Sequence, residues 1–207
     1  SQSANLILLN SLFRMGTHVS GKNLFPSNIA GLPTWYIVRV SDHGYQAPGD
    51  ETHIQVIMNI DTWAEDLAEL KPGTVVIYNE DVKAPVERKD LILYPAPMTS
   101  MARKINPKLA KMVSNMVYVG IMAEILEIPQ EIVEEAISKQ FNGKEKAIEI
   151  NSQASIMGRE HFKENCEKKD SYYVEARDKN EKKFLIEGNE ALALGCVYGG
   201  VNMLSWY

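Results

Sequence analysis

The sequence predicts an α/β domain built on a mostly parallel sheet, and three observations predict it. Between His53 and Tyr78 the order is strand, helix, turn, strand: Ile54-Gln-Val-Ile-Met58 reads as a buried strand, Asp61 is placed to cap a helix running to Leu70, and Lys71-Pro72-Gly73 turns the chain into Thr74 to Tyr78. That order is a βαβ unit, the connection that parallel neighbours require. Thr34 to Val40, with Trp35, Tyr36, Ile37 and Val38, is the strongest strand signal by β-branched and aromatic content. Two strongly apolar segments, residues 4–13 and 109–126, read as helices that must cover a sheet.

The elements follow in order. Ala4, Leu6, Ile7, Leu8, Leu9, Leu12 and Phe13 form a helix that Gly16 ends, with Ser1, Gln2 and Ser3 ahead of it as hydrogen-bond acceptors for its first amides. Such a helix usually follows a strand, so the sequence reads as starting after one. His18 to Ser20 is a short strand, and Lys22 to Pro33 is a loop punctuated by Gly21, Pro26, Gly31 and Pro33. Tyr45 to Glu51 reads as an exposed loop. Leu91 to Tyr94 is a further strand that Pro95 and Pro97 end, and Met98 to Lys104 is a short helix. Leu109 to Leu126 is apolar on nearly all sides and should be buried. Pro129 opens a helix that Asn142-Gly143 closes, and Lys144 to about His161 forms another. From His161 to Lys183 seven basic and six acidic side chains fall within 23 residues, as expected of a solvated linker or arm. Gly188 begins a small-residue helix that runs through Gly199-Gly200.

Composition excludes several classes. A hydrophobic share of 45% and a charged share of 24% are ordinary for a globular chain, so fibrous and disordered readings fail. The formal net charge of -5 argues against a nucleic-acid binder, which needs a positive field. Cys166 and Cys196 are too few for an iron–sulfur cluster or Cys-rich zinc site built from this chain, and they read as reduced thiols of a cytoplasmic protein. The four histidines, at positions 18, 43, 53 and 161, show no metal-ligand spacing, so no metal site is expected. No apolar run approaches the roughly 18–20 residues that cross a bilayer. No GxGxxG, GxxxxGK[ST] or GxSxG motif occurs, which leaves intrinsic dinucleotide, P-loop and hydrolase chemistry without support.

The best local site is the loop Lys22-Asn-Leu-Phe-Pro-Ser-Asn-Ile-Ala-Gly31, beside the strongest strand. It offers a cation, two amides and a hydroxyl, the groups that hold a phosphate or carboxylate; the competing reading is a structural crossover whose side chains satisfy their own backbone. Asn115, inside the buried helix, either orients a ligand or is a satisfied structural amide. The methionines at 112, 116 and 122 read as core filling, and neither cysteine has a neighbouring base.

Four segments in order resemble the 2-oxoacid:ferredoxin oxidoreductases. Gly16 to Ser41 looks like the loop and strand of their gamma domain, Leu70 to Asn79 its next strand, and Asn115 to Gly120 its buried helix; Glu187 to Gly195 resembles the opening of the alpha domain. The order gamma, linker, alpha is that of the fused alpha subunit common in 2-oxoglutarate-type enzymes. The resemblance implies a Rossmann-like three-layer gamma domain over residues 1–160 lacking its first strand, a charged linker over 161–185, and the incomplete beginning of a pyrimidine-side alpha domain over 186–207.

It further implies thiamine-diphosphate-dependent oxidative decarboxylation of a 2-oxoacid to an acyl-CoA, with 2-oxoglutarate favoured over pyruvate. Electrons would pass through iron–sulfur clusters to ferredoxin. This chain alone would bind none of these cofactors, would carry no catalytic residue and would be inactive in isolation. Its implied partners are a thiamine-binding beta subunit, the rest of the alpha domain and ferredoxin, in a cytoplasmic hetero-oligomer without nucleic acid or membrane. Lys22, Ser27, Asn28 and Gly31 are the implied substrate or coenzyme A contacts. Two alternatives stand beside this: a non-catalytic docking scaffold between subunits, and an unrelated Rossmann-like nucleotide-binding protein.

Overall fold

A computed structural model describes residues 2–25 and 32–205. Its first elements are α1 (Gln2–Arg14), β1 (His18–Leu24) and β2 (Trp35–Ser41); β3 (Ile54–Ile57), α2 (Trp63–Ala68), β4 (Val75–Asn79) and β5 (Ile92–Ala96) follow. The chain continues with α3 (Met98–Ile105), α4 (Ala110–Ile125), α5 (Gln130–Phe141), α6 (Glu145–Asn165) and α7 (Gly188–Tyr198). β3, β4 and β5 form a parallel sheet with β4 in the centre, while β1 and β2 pair antiparallel as a separate hairpin. The fold is α/β with a parallel three-stranded sheet.

β4 shows why this sheet has a layer on each face. Successive side chains of a strand point to opposite sides. Val75 and Ile77 enter a large core shared with α1, α3, α4, α5 and α6, whereas Val76 enters a smaller one with Ile57, Trp63, Leu67 and Leu91; all three residues are fully buried. A helical layer on each face of the sheet follows from one unbroken apolar run.

α4 is the pillar of the larger core, with Val117, Val119, Ala123 and Ile125 wholly excluded from solvent. It crosses α6 at backbone distance. A Cβ on Gly120 would stand 1.8 Å from the Ser155 carbonyl oxygen, and one on Gly158 would stand 2.0 Å from the Val117 carbonyl oxygen. Both glycines are therefore required by reciprocal approach. Arg159 stitches the same crossing by donating from Nη1 to Glu124 (2.9 Å) and from Nη2 to the Ile128 carbonyl (2.5 Å).

Five expectations change in detail, the first being that α7 ends at Tyr198, with Gly199 as its C-cap, and does not run through Gly199-Gly200. β1 continues through Lys22 to Leu24, because each of these residues finds a partner on β2, so Lys22 lies in a strand and not in a loop. Asp61 does not cap α2, which begins after Thr62. β5 runs through Pro95 to Ala96; as an edge strand it loses no ladder donor to proline. Finally, α6 extends to Asn165, and the charged segment after it is not free in solvent.

Residues 166–187 form a strap laid over the domain. Val174 N–H donates to the Leu126 carbonyl (2.9 Å) and Arg177 N–H to the Met15 carbonyl (2.7 Å). The buried Asn180 amide donates to the carbonyls of Phe13 (2.9 Å) and Thr17 (2.7 Å). Gly16, at φ +76°, allows the crossing: a Cβ there would meet the Arg177 carbonyl oxygen at 1.7 Å. The charges thus sit on the outer side of a segment whose backbone and few apolar residues dock. Lys179 and Arg177 hold the Asp42 carboxyl below its usual range, the Lys179 hydrogen bond contributing most.

The strap is also fixed at Tyr94. Its hydroxyl donates to Asp170 Oδ2 (2.7 Å) and accepts from the Lys169 N–H (2.7 Å). Burial, then the Asp170 hydrogen bond, push its pKa up to about 12.

Two measurements check this architecture. Gly120→Ala and Gly158→Ala should each destabilise the chain by about 3 kcal/mol in urea denaturation, since neither backbone can withdraw. Tyr94→Phe should cost about 1–2 kcal/mol at pH 7 by leaving the Lys169 amide unpaired. Because the folded pKa of Tyr94 is raised, its contribution is complete below about pH 10 and fades as the pH rises toward 12. The stability difference between the two proteins should shrink over that window.

Candidate functional site

The hairpin is the part of the fold least committed to the parallel sheet. Opposed residues of an antiparallel pair project to the same side. The register therefore puts Val19, Gly21, Asn23, Tyr36 and Val38 on one face, and Ser20, Lys22, Leu24, Trp35, Ile37 and Arg39 on the other.

The first face is structural. Val19 and Val38 pack against the larger core. The Tyr36 hydroxyl lies where a side chain on Gly21 would be, 2.2 Å from the position of its Cβ, with Leu9 beside it. Beneath, Tyr118 donates to Asn5 Oδ1 at 2.6 Å. Burial pushes the Tyr118 phenol far above its usual range, with Tyr36 adding to the effect, and burial followed by the Glu187 charge raises Tyr36. Both phenols stay neutral: Tyr118 ties α4 to α1, and Tyr36 fills the space beside Gly21 and Leu9.

The second face carries the hairpin's polar and cationic side chains. Ser20 Oγ donates to the Gln46 carbonyl at 2.5 Å, which ties the loop after β2 to β1. The Trp35 indole N–H donates to Asp66 Oδ1 (2.7 Å), while the Thr62 hydroxyl donates to Asp66 Oδ2 (2.7 Å), so α2 fixes the start of β2. Arg39 lies against Gly49, where a Cβ would be 2.4 Å from Nη1, and its buried Nε has no partner among the described residues. Lys22 is exposed diagonally from Arg39, and neither cation forms an ion pair among the described residues. Two unneutralised cations on one rigid face suit a phosphate or carboxylate.

The carboxyl ends of the parallel strands, where open α/β sheets commonly bind ligands, are differently furnished. Asp81 accepts from the Ser100 amide (2.7 Å) and hydroxyl (2.5 Å), and Asn79 accepts from the Met98 amide (3.1 Å). The first amides of α3 are thus engaged by the protein's own side chains. An incoming anion would have to displace them, which favours the hairpin face.

Of the residues predicted from sequence, Ser27, Asn28 and Gly31 lie outside the described residues. Lys22 stands on the outer face of β1, leading into that segment. Asn115 is half-buried and donates to the Lys111 (3.4 Å) and Met112 (3.2 Å) carbonyls of its own helix, which occupies its amide structurally. Sequence reasoning missed Ser20, Trp35 and Arg39. The alternation of β2 was legible, but pairing it with Lys22 required the register across Gly21. Cys166 and Cys196 lie on separate elements, and among the described residues no three His, Cys, Asp or Glu side chains converge as metal ligands. Among those residues no helix is long and apolar enough to cross a membrane.

Comparison with known proteins agrees with the fold. The family described as pyruvate ferredoxin/flavodoxin oxidoreductase matches residues 1–161. The alpha subunit of 2-oxoacid:ferredoxin oxidoreductase 2 from Aeropyrum pernix is 21% identical across the whole of this chain, which covers 38% of that subunit. A structure of 2-oxoglutarate:ferredoxin oxidoreductase from Magnetococcus marinus, with 2-oxoglutarate, coenzyme A and succinyl-CoA bound, superposes on 96% of this chain with a TM-score of 0.82 and 25% identity; this chain covers 35% of it. The gamma subunit of a keto/oxoacid ferredoxin oxidoreductase from Geobacter sulfurreducens shares the fold over 77% of this chain and 92% of its own, with a TM-score of 0.58 and 18% identity. The chain therefore spans little more than a third of the longer relatives. It is homologous to subunits of 2-oxoacid:ferredoxin oxidoreductases, which sets aside the unrelated nucleotide-binding alternative.

The anchoring of the hairpin is open to measurement. Asp66→Ala removes a charged acceptor from the Trp35 indole, an interaction of about 1.5–3 kcal/mol. Backbone amides 35–39 should exchange with deuterium at least tenfold faster, while those of β4 keep their protection.

Proposed function

This chain belongs to the pyruvate ferredoxin/flavodoxin oxidoreductase family, and we propose that it is the gamma-type portion of a 2-oxoacid:ferredoxin oxidoreductase, joined to the opening of an alpha-type domain. The observation that carries this reading is the extent of the likeness. The gamma subunit from Geobacter sulfurreducens covers 77% of this chain, whereas the longer Magnetococcus marinus protein covers 96%. The greater coverage by the longer polypeptide supports reading the residues beyond the family match as part of a second, alpha-type region. The proposed division is gamma domain 1–160, linker 161–185 and alpha-type opening 186–207.

In this reading the assembled cytoplasmic hetero-oligomer carries out oxidative decarboxylation of a 2-oxoacid, 2-oxoglutarate being favoured, to an acyl-CoA. Thiamine diphosphate, bound by the assembly, supplies the carbanion stabilisation that decarboxylation needs. Iron–sulfur clusters on a partner would lead to ferredoxin, since two cysteines are too few to ligate a cluster. We assign this chain a binding role. Lys22 and Arg39 would attract the phosphates or carboxylate of coenzyme A or substrate, and Trp35 and Ser20 would keep the face rigid, so little ordering cost is incurred on binding. Ser27, Asn28 and Gly31 would complete the contact from the adjoining segment, and Asn115, whose amide donates within its own helix, would orient the ligand.

Steady-state kinetics of the assembled enzyme test this. Lys22→Ala should raise the KM for coenzyme A several-fold with kcat within a factor of two, the pattern of lost uniform binding. An unchanged KM would favour the alternative in which the domain only docks subunits.

A further inference from the structure

Acidic residues are distributed unevenly along this chain. None occurs in residues 1–41 or 91–123, although the chain has 27. These two segments contribute seven cations, so the remainder holds 15 cations with all 27 acids. The net charge of -5 therefore conceals a separated positive region.

Folding concentrates part of it. Arg103 and Lys104 at the end of α3, and Lys108 and Lys111 at the start of α4, are all exposed. Lys139, Lys144 and Lys146 follow along the end of α5 and the start of α6, accompanied by Glu145 and Glu149. Arg103, Lys104, Lys108, Lys111, Lys139, Lys144 and Lys146 form no ion pair among the described residues.

Fold stability does not account for this arrangement. Cations at the end of α3 complement its dipole, but Lys108 and Lys111 stand at the positive end of a 16-residue helix whose first turn has no acid. Their positions oppose local helix electrostatics.

Between the two groups of cations lies an apolar cleft of about 160 Å³, lined by Leu109, Met112, Phe141 and Ile150 among others. Met112 is 67% exposed and Leu109 41%. The volume is below the roughly 300–1,000 Å³ typical of small-molecule sites and close to the roughly 150 Å³ that accepts a benzene-sized group. An apolar centre with a charged rim is the anatomy of a protein interface.

We propose that this surface docks an acidic segment of a partner protein, which seats one aromatic or long aliphatic side chain in the Met112 cleft while its carboxylates meet Arg103, Lys104, Lys108 and Lys111. Charge complementarity identifies the occupant. The acidic remainder of the chain repels extended polyanions such as nucleic acid, whereas a short acidic segment meets only the positive region.

Fluorescence anisotropy of the full chain with a fluorescein-labelled peptide, one Phe flanked by Asp and Glu on both sides, tests this. Binding at 50 mM NaCl should weaken at least tenfold at 300 mM, as screening shortens the reach of the rim charges. Lys104→Glu/Lys108→Glu/Lys111→Glu, at exposed sites and checked for folding by circular dichroism, should lose at least tenfold. A peptide with Ser in place of Phe should lose at least fivefold. No binding at 50 mM NaCl, equal binding by the triple variant, or equal binding of the Ser peptide would overturn the proposal. So would displacement of the peptide by equimolar coenzyme A or by phosphatidylserine vesicles, which would assign the surface to a nucleotide or a lipid.

Discussion

The contact on which the rest of the structure depends is the crossing of α4 and α6. At Gly120 and Gly158 the two backbones lie so close that neither position can hold a Cβ, and each helix presents a carbonyl to the other's glycine. This approach brings the apolar circumference of α4 within reach of α6 on one side while α1 and α3 close on the others, and α5 packs on α1 and α6. The sheet then receives a continuous apolar surface over Val75 and Ile77, and α2 seals its opposite face over Val76. Moving α6 outward by one methyl would open the larger core along its length.

A consequence of that packing is a division of labour between the two sheets. The parallel sheet is covered on both faces, and the α3 amides at its carboxyl end are engaged by Asn79 and Asp81. The hairpin has only one covered face. Its buried side is fixed by Val19, Val38 and the Tyr36 phenol, and its other side is stiffened by Trp35 and Ser20 hydrogen bonds that leave Lys22 and Arg39 uncompensated. Stability resides in the parallel sheet, and the proposed recognition surface is the open face of the hairpin. The strap adds to the former, tying the end of α1, the end of α4 and β5 through Asn180, Val174 and Tyr94.

Much of this was legible in the residues. The βαβ unit, α4 and the helices on either side of Asn142-Gly143 follow from apolar period and turn chemistry, which act locally. The extension of β1 was not, because Gly21, Lys22 and Asn23 are polar or conformationally free and become a strand only through pairing with β2. Pro95 misleads for the converse reason: proline is excluded from central strands, and edge position is a tertiary fact. The strap reads as solvated because its charges outnumber Tyr172, Val174 and Asn180, yet those few groups and its backbone make the contacts. At the site, Lys22 was visible as a cation beside a strong strand, while Arg39 belongs to it only through register. Asn115 was visible as a polar group on an apolar helix, but its spacing to Lys111 and Met112 already offered local acceptors.

The central claim is that the outer face of the hairpin, rather than the crevice of the parallel sheet, meets the anionic ligand. Hydrogen–deuterium exchange of the assembled oxidoreductase with and without saturating coenzyme A tests it most directly. The account predicts added protection across residues 20–39 and unchanged exchange at residues 79–81 and 98–100. Protection confined to residues 79–81 and 98–100, with the hairpin unaffected, would contradict it.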